Sequence, residues 1–244
     1  MNNKFKRYKI NDREQQGTKI DFDNYTLYFK RHEHSLLYEK RIESNVLKRI
    51  LLKPYEIRSD EIGIFPILNR NIGTLYLNYI LIKFKTEVIV PKNANIIIYA
   101  TIPIDIGIFS YQKHDETLID NICLNKIKFT LYGKPEKGII CRYKEAEINE
   151  ERLTKKYEEA LVKIIIKNNL ENSTIVNKIV IPVDDIMIDY ENDDCFIPGN
   201  IEFELNSLFG KNIATVHLRS TRVKGRKYLN MNYNIPKFTM EWGY

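Results

Sequence analysis

Glutamine is nearly missing from this chain. Of 244 residues only Gln15, Gln16 and Gln112 carry it. Scarce glutamine beside abundant lysine and glutamate leans toward a thermophile, while plentiful asparagine points the other way, toward coding bias. Cysteine is scarce too. Cys123, Cys141 and Cys195 are odd in number and lack CxxC spacing. That argues against a disulfide framework or a zinc site, and for small buried side chains in a reducing cytoplasm. No stretch approaches the ~18 apolar residues of a membrane helix. The opening MNNKFKRYKI has charges but no apolar run, so neither a transmembrane segment nor a signal peptide is expected. P-loop, GxGxxG, HExxH and GxSxG patterns are absent, which removes the usual signatures of nucleotide binding and hydrolysis. No repeat of about 20–50 residues and no low-complexity tract is present. The expectation is a cytoplasmic protein without a cofactor, leaning away from an enzyme.

What is present is a folded composition, 43% hydrophobic and 29% charged, with net charge +6, long enough for one large or two modest cores. The charge is uneven. Residues 1–150 hold 25 Lys+Arg against 19 Asp+Glu, and residues 151–244 hold 13 of each. The first part therefore has a mild bias toward an anionic partner.

Alternation of apolar and polar residues predicts strands at Asn24–Arg31, Leu36–Ile42 and Val46–Leu52; helix is the rival for Ser35–Leu52, with its leucines and i,i+4 charges, and the β-rich neighbours favour strands. Tyr76–Ser110 is densely β-branched, which excludes a comfortable helix and marks core; Pro103–Gly107 within it reads as a bending strand. Glu147–Glu159 is the one charged helical candidate and the expected boundary. Beyond it, strands are expected at Ala160–Lys167, Thr174–Ile181, Ile186–Tyr190, Ile201–Leu205, Ile213–Arg219, Tyr228–Tyr233 and Lys237–Trp242. The fold class is all-β: antiparallel β-sandwiches, as two domains over 1–150 and 151–244, or one large sandwich.

Lys126–Ala146 is the clearest hairpin. Opposing Leu131 to Cys141 and Phe129 to Tyr143 gathers apolar side chains on one face. Thr130 then meets Arg142 and Lys128 meets Lys144 on the outer face. Cys141 would point inward, Arg142 outward, and Gly138 would take a positive φ in a loop of about five residues.

Three clusters carry possible chemistry. His32 and His34, two apart on an expected strand, would share a side and could begin a metal site, though a third ligand is unassigned. The stretch containing Asp184, Asp185, Asp189, Glu191, Asp193 and Asp194 has the alternating oxygens of a cation loop but lacks the EF-hand glycine and glutamate; a solvated loop is the plainer reading. Arg219, Arg222, Lys224, Arg226 and Lys227 crowd a turn that would suit phosphates, or would simply pair with the acidic stretch.

Phe129-Thr-Leu-Tyr-Gly-Lys-Pro-Glu-Lys-Gly-Ile-Ile-Cys-Arg-Tyr143, containing Gly133, Pro135, Gly138, Cys141, Arg142 and Tyr143, resembles the central motif of an archaeal family of uncharacterised proteins, the domain of unknown function numbered 432. Ile102-Pro-Ile-Asp-Ile-Gly-Ile-Phe109 is similar to that family's preceding strand. The resemblance covers residues 80–146, implies an archaeal, cytoplasmic protein, and assigns no catalytic residue. The expected function is non-catalytic binding or scaffolding with another protein as partner. A nucleic-acid-binding protein is the alternative, and a cation-dependent hydrolase the further one.

Overall fold

The structure is a computed structural model that describes residues 3–10, 17–32, 34–53, 61–68, 71–72, 75–112, 115–148, 154–184, 186–219 and 240–241. Every regular element among them is a strand. The chain packs into two compact units, 1–67 with 105–124 and 68–104 with 125–244. The units interleave along the sequence, where the charged run at 147–159 had suggested one contiguous cut.

The first unit opens with β1 (Lys6–Lys9), β2 (Thr18–Phe22), β3 (Tyr25–His32), β4 (Ser35–Ile42), β5 (Asn45–Leu52) and β6 (Glu61–Ile67). The second begins with β7 (Asn71–Ile72), β8 (Leu75–Tyr76), β9 (Tyr79–Val90) and β10 (Asn95–Pro103). At Ile104 the chain returns to the first unit for β11 (Asp105–Gln112) and β12 (Asp115–Ile122). Pro103–Gly107 is therefore not one bending strand: β10 ends at Pro103 and β11 begins at Asp105. The second unit is completed by β13 (Phe129–Tyr132), β14 (Ile139–Ala146), β15 (Glu159–Asn168), β16 (Thr174–Pro182), β17 (Asp189–Glu191), β18 (Asp194–Phe196), β19 (Asn200–Leu208), β20 (Lys211–Arg219) and β21 (Met240–Glu241). Most strands expected from alternation are present; Tyr228–Tyr233 lies outside the described residues.

In the first unit two antiparallel sheets form, β1-β6-β11-β12 and β2-β3-β4-β5. Phe22, Leu27, Phe29 and Tyr38 on one sheet and Ile62 and Ile64 on the other are fully buried. A polar clamp joins the sheets at one side. Tyr38 donates its hydroxyl to Asp120 Oδ2 at 2.7 Å, and Lys40 and Lys48 reach the same carboxylate at 2.9 and 2.8 Å. Burial alone would raise the Asp120 carboxyl, but hydrogen bonds from Lys48, Lys40 and Tyr38 outweigh it and hold the group below its ordinary range.

The second unit is mixed rather than purely antiparallel. β9 takes β16 antiparallel on one edge and β14 parallel on the other, with β13 beyond. β15 takes β10 antiparallel on one edge. Its other edge pairs in parallel first with β18 and then with β19, and β20 and β21 follow. Ala160, Val162, Ile164 and Ile166 of β15, and Ile201, Phe203 and Leu205 of β19, supply a fully buried row. Asn168, also buried, donates its amide to the carbonyls of Val90, Pro91 and Asn172 and accepts the N–H of Leu170, tying the turns at that end together.

The central hairpin adopts the register that apolar matching disfavours. Phe129 opposes Arg142, Thr130 opposes Cys141, Leu131 opposes Ile140 and Tyr132 opposes Ile139. The physical reason is β9. It aligns Arg142, Lys144 and Ala146 with Ile80, Ile82 and Phe84, a buried row, so a tertiary partner and not the local match sets the register, while Cys141 on the opposite row is buried as expected. Arg142 is consequently 3% exposed instead of pointing outward, and Lys144 forms an ion pair with the buried Glu159. Phe129, Leu131 and Ile140 are left exposed. The positive φ belongs to Gly133, at 100°, and not to Gly138.

The helix expected at Glu147–Glu159 is not present in the described part of that run. No described residue there is helical: Ile148 is irregular, 149–153 lie outside the described residues, and Lys156–Glu158 form a turn. With Ile148, Leu153 and Tyr157 as its main apolar side chains, the run offers too thin a face to hold a helix against a sheet.

A cleft on the outer face of the second sheet

The break between β18 and β19 opens a cleft in the second unit. β15 pairs with β18 through Ala160–Cys195 and Leu161–Phe196, and with β19 only from Ile164–Ile201 onward. Between these registers the neighbouring chain, Ile197-Pro198-Gly199, loops away. Pro198 lacks an N–H to donate and Gly199 takes φ 102°, so neither continues a ladder. Ile197 holds the loop by donating its N–H to the Leu161 carbonyl at 2.8 Å. The missing pairing leaves a cleft of about 710 Å³ beside Lys163.

Its floor is the cross-strand pair Tyr99 and Lys163 with Leu161. One wall is the β17–β18 hairpin, presenting Glu191, Asn192, Asp194 and Phe196, and Thr154 lies on its lining as well. The side chains of Lys163, Tyr99, Thr154 and Glu191 have no hydrogen-bond or ion-pair partner among the described residues. The cleft therefore offers a cation, two hydroxyls and a carboxylate beside the apolar Leu161, Phe196 and Pro198. That is the mixture of apolar lining with a few polar groups that small-molecule sites show.

Cys195 also lines the cleft, but as a buried group. Burial, then the charges of Asp193, Asp194 and Asp189, push its thiol far up. A thiolate nucleophile is not available in this conformation. Burial likewise pushes the Cys141 thiol up to about 12.

The acidic stretch forms the hairpin wall. Asp189 and Glu191 lie on β17, and Asn192 and Asp193 form its turn with φ 52° and 70°. Asp193 turns inward and accepts the Tyr157 hydroxyl at 2.5 Å. Asp194 pairs with Lys156 at 3.4 Å. Asp189, Glu191 and Asp193 thus do not converge, and among the described residues no three His, Cys, Asp or Glu groups form a metal-holding cluster. His34 lies in the turn after β3 instead of on a strand, and the side chain of His32 is outside the described residues. Arg219 is exposed and bonds Glu202 at 3.3 Å, so it meets an acid of its own sheet and not the 184–194 stretch. Arg222, Lys224, Arg226 and Lys227 lie outside the described residues.

Sequence reasoning missed Lys163, Tyr99, Thr154 and Phe196. Two of them are ordinary outward residues of alternating strands, and their meeting depends on the β10–β15 register. The usable signal is Pro198-Gly199, a breaker pair between two apolar strand runs.

No helix of the described residues is long and apolar enough to cross a membrane. No curated protein and no solved structure matches this chain. A family model does: the one described as protein of unknown function (DUF432) matches residues 4–235, nearly the whole chain, and agrees with the likeness carried by Phe129–Tyr143; the chain belongs to that family.

Proposed function

We propose that the protein is a non-catalytic binding protein whose second unit receives a small polar ligand in the Tyr99–Lys163 cleft. The observation that carries this is the set of polar groups without a partner among the described residues, Lys163, Tyr99, Thr154 and Glu191, lining about 710 Å³ beside apolar contacts. A half-buried ammonium and phenol give up part of their hydration, and a ligand that pairs with them restores it. Among the described lining residues the one thiol is buried and its pKa raised, which disfavours a thiolate nucleophile.

Thermal-shift measurements against a library of polar metabolites test the reading. A ligand that raises the melting temperature of the native protein and loses at least tenfold in affinity in Lys163→Ala and Tyr99→Phe would establish the cleft as its site. If no compound acts, or if those variants respond like the native protein, the reading fails.

A second reading, docking to another protein, rests on a different observation. Leu208 and Phe209 cap the β19–β20 hairpin, and Phe209 is 96% exposed with φ 50°. A bulky aromatic seldom takes that conformation in full contact with water. Replacing Phe209 with Asn, which tolerates this φ, keeps the turn and removes the ring. Loss of a stoichiometric co-purifying protein in Phe209→Asn, with the fold intact, would favour this reading over the cleft.

A further inference from the structure

We propose that the β17–β18 hairpin is a latched lid over the cleft, with Tyr157 and Lys156 as the residues that hold it shut. This rests on the cleft being a binding site, but it concerns access to the cleft and not the ligand.

The hairpin is weakly fastened to its sheet. Of its two strands only β18 pairs with β15 among the described residues, through Ala160–Cys195 and Leu161–Phe196, with one further backbone bond from Ile197 to Leu161. β17 is an edge strand whose ladder among the described residues is with β18. An attachment of two residue pairs is too short to fix the hairpin's far end, which must be held by something else. That end is held by side chains. Tyr157 donates its hydroxyl to Asp193 Oδ2 at 2.5 Å. Lys156 donates to the Asn192 carbonyl at 3.1 Å and lies 3.4 Å from the Asp194 carboxylate. Both latch residues sit in the turn that immediately precedes β15, so one short segment grips the hairpin tip from the strand on which the hairpin is hinged.

Both halves of the latch are conformationally strained. Tyr157 adopts φ 65°, and Asn192 and Asp193 adopt 52° and 70°. Asn and Asp tolerate the left-handed region; for a tyrosine it is an outlier. Such a residue persists where its surroundings over-determine it, and the contact with Asp193 is what the left-handed backbone places within reach. The latch therefore stabilises a conformation that the local chain does not prefer, so releasing it lets Tyr157 relax. That gives the lid two states instead of one.

The native sequence contains a reporter for the open state. Cys195 is on β18, 1% exposed, and is one of the two residues through which β18 pairs with β15. Opening that lifts β18 from β15 brings its thiol to water, where it regains ordinary reactivity. Cys141 is equally buried but lies on β14, in the other sheet of the same unit, and serves as the internal control.

The experiment is N-ethylmaleimide labelling of the full chain without ligand, with each cysteine followed by peptide mass spectrometry. Tyr157→Phe deletes one charge-assisted hydrogen bond and leaves the ring; Lys156→Ala changes an exposed side chain and is the variant least able to disturb folding. The expected result is that labelling at Cys195 rises about tenfold in Tyr157→Phe. It should rise in Lys156→Ala and most in the double variant, with Cys141 labelling and melting temperature unchanged. Unchanged Cys195 labelling in both single variants would overturn the lid. So would a parallel rise at Cys195 and Cys141, which would report opening of the whole unit. Because no ligand is used, the lid can stand while the metabolite screen fails, and the screen can succeed while the lid falls.

Discussion

Gly138 shows how a residue can matter for a reason other than the one its type suggests. Its φ is unremarkable, yet a Cβ there would lie 2.8 Å from Leu131 Cδ1, 2.8 Å from the Lys134 carbonyl oxygen and 2.9 Å from that of Tyr132. Two of these neighbours are backbone and cannot swing aside. Gly133, by contrast, holds φ 100°, and a Cβ there would lie 3.3 Å from the Gly138 Cα, with nothing nearer. Gly138→Val should lower stability by about 1–3 kcal/mol through overpacking, and Gly133→Ala by about 1–2 kcal/mol through backbone strain. Urea unfolding of the two variants checks both. Equal stability of Gly138→Val and the native protein would mean that the turn is not built as described.

At the scale of elements, the clearest test lies between β4, β5 and β12. Asp120 is the shared acceptor of Tyr38, Lys40 and Lys48. Its folded-state pKa lies below the ordinary 3.8. The stability it contributes is therefore complete above that ordinary value and is lost as pH falls through the lower folded one. Glu39 acts in the same direction, held down first by its hydrogen bond from Arg41 and further by Arg49. Asp120→Asn should cost about 3 kcal/mol at neutral pH, because two lysines lose the carboxylate between them. It should also flatten the acid limb. Urea midpoints followed from pH 7 down to about 2 test this; native and variant curves of the same shape would show that Asp120 is not the coupling group.

The hairpin β13–β14 makes the complementary point about elements. Read by itself it has a best register, in which Phe129 and Tyr143 share a face. Its actual register exposes Phe129 and Leu131 and buries Arg142. The parallel contact with β9 outweighs the local match, since β9 carries Ile80, Ile82 and Phe84 into the core and β14 must follow its row. No local pattern reports a pairing partner more than fifty residues away.

At the scale of the whole molecule, strand order sets what can fold alone. β15 and β16 find their antiparallel partners, β10 and β9, far earlier in the chain. A fragment of residues 151–244 would hold β15 and β16 without those neighbours, leaving two open edges and an uncovered apolar face. It should be unfolded or aggregated, and a dispersed amide spectrum from the isolated fragment would contradict the pairing. The interleaved units also explain why charge and composition were a poor guide to the boundary. Composition varies along the sequence, whereas contacts follow the sheets.

The sequence by itself determined that this is a strand-built protein. Alternation at Tyr25–His32, Ala160–Lys167 and Ile201–Leu205 and the β-branched density of Tyr76–Ser110 leave no stable alternative, because period-two burial is a local property. The motif Phe129–Tyr143 likewise carried the family. The register of β13 on β14, where β18 yields to β19, and which polar groups share a cleft were decided only by tertiary structure. Each depends on two strands meeting in one register, and a register is a relation between distant segments that neither segment contains.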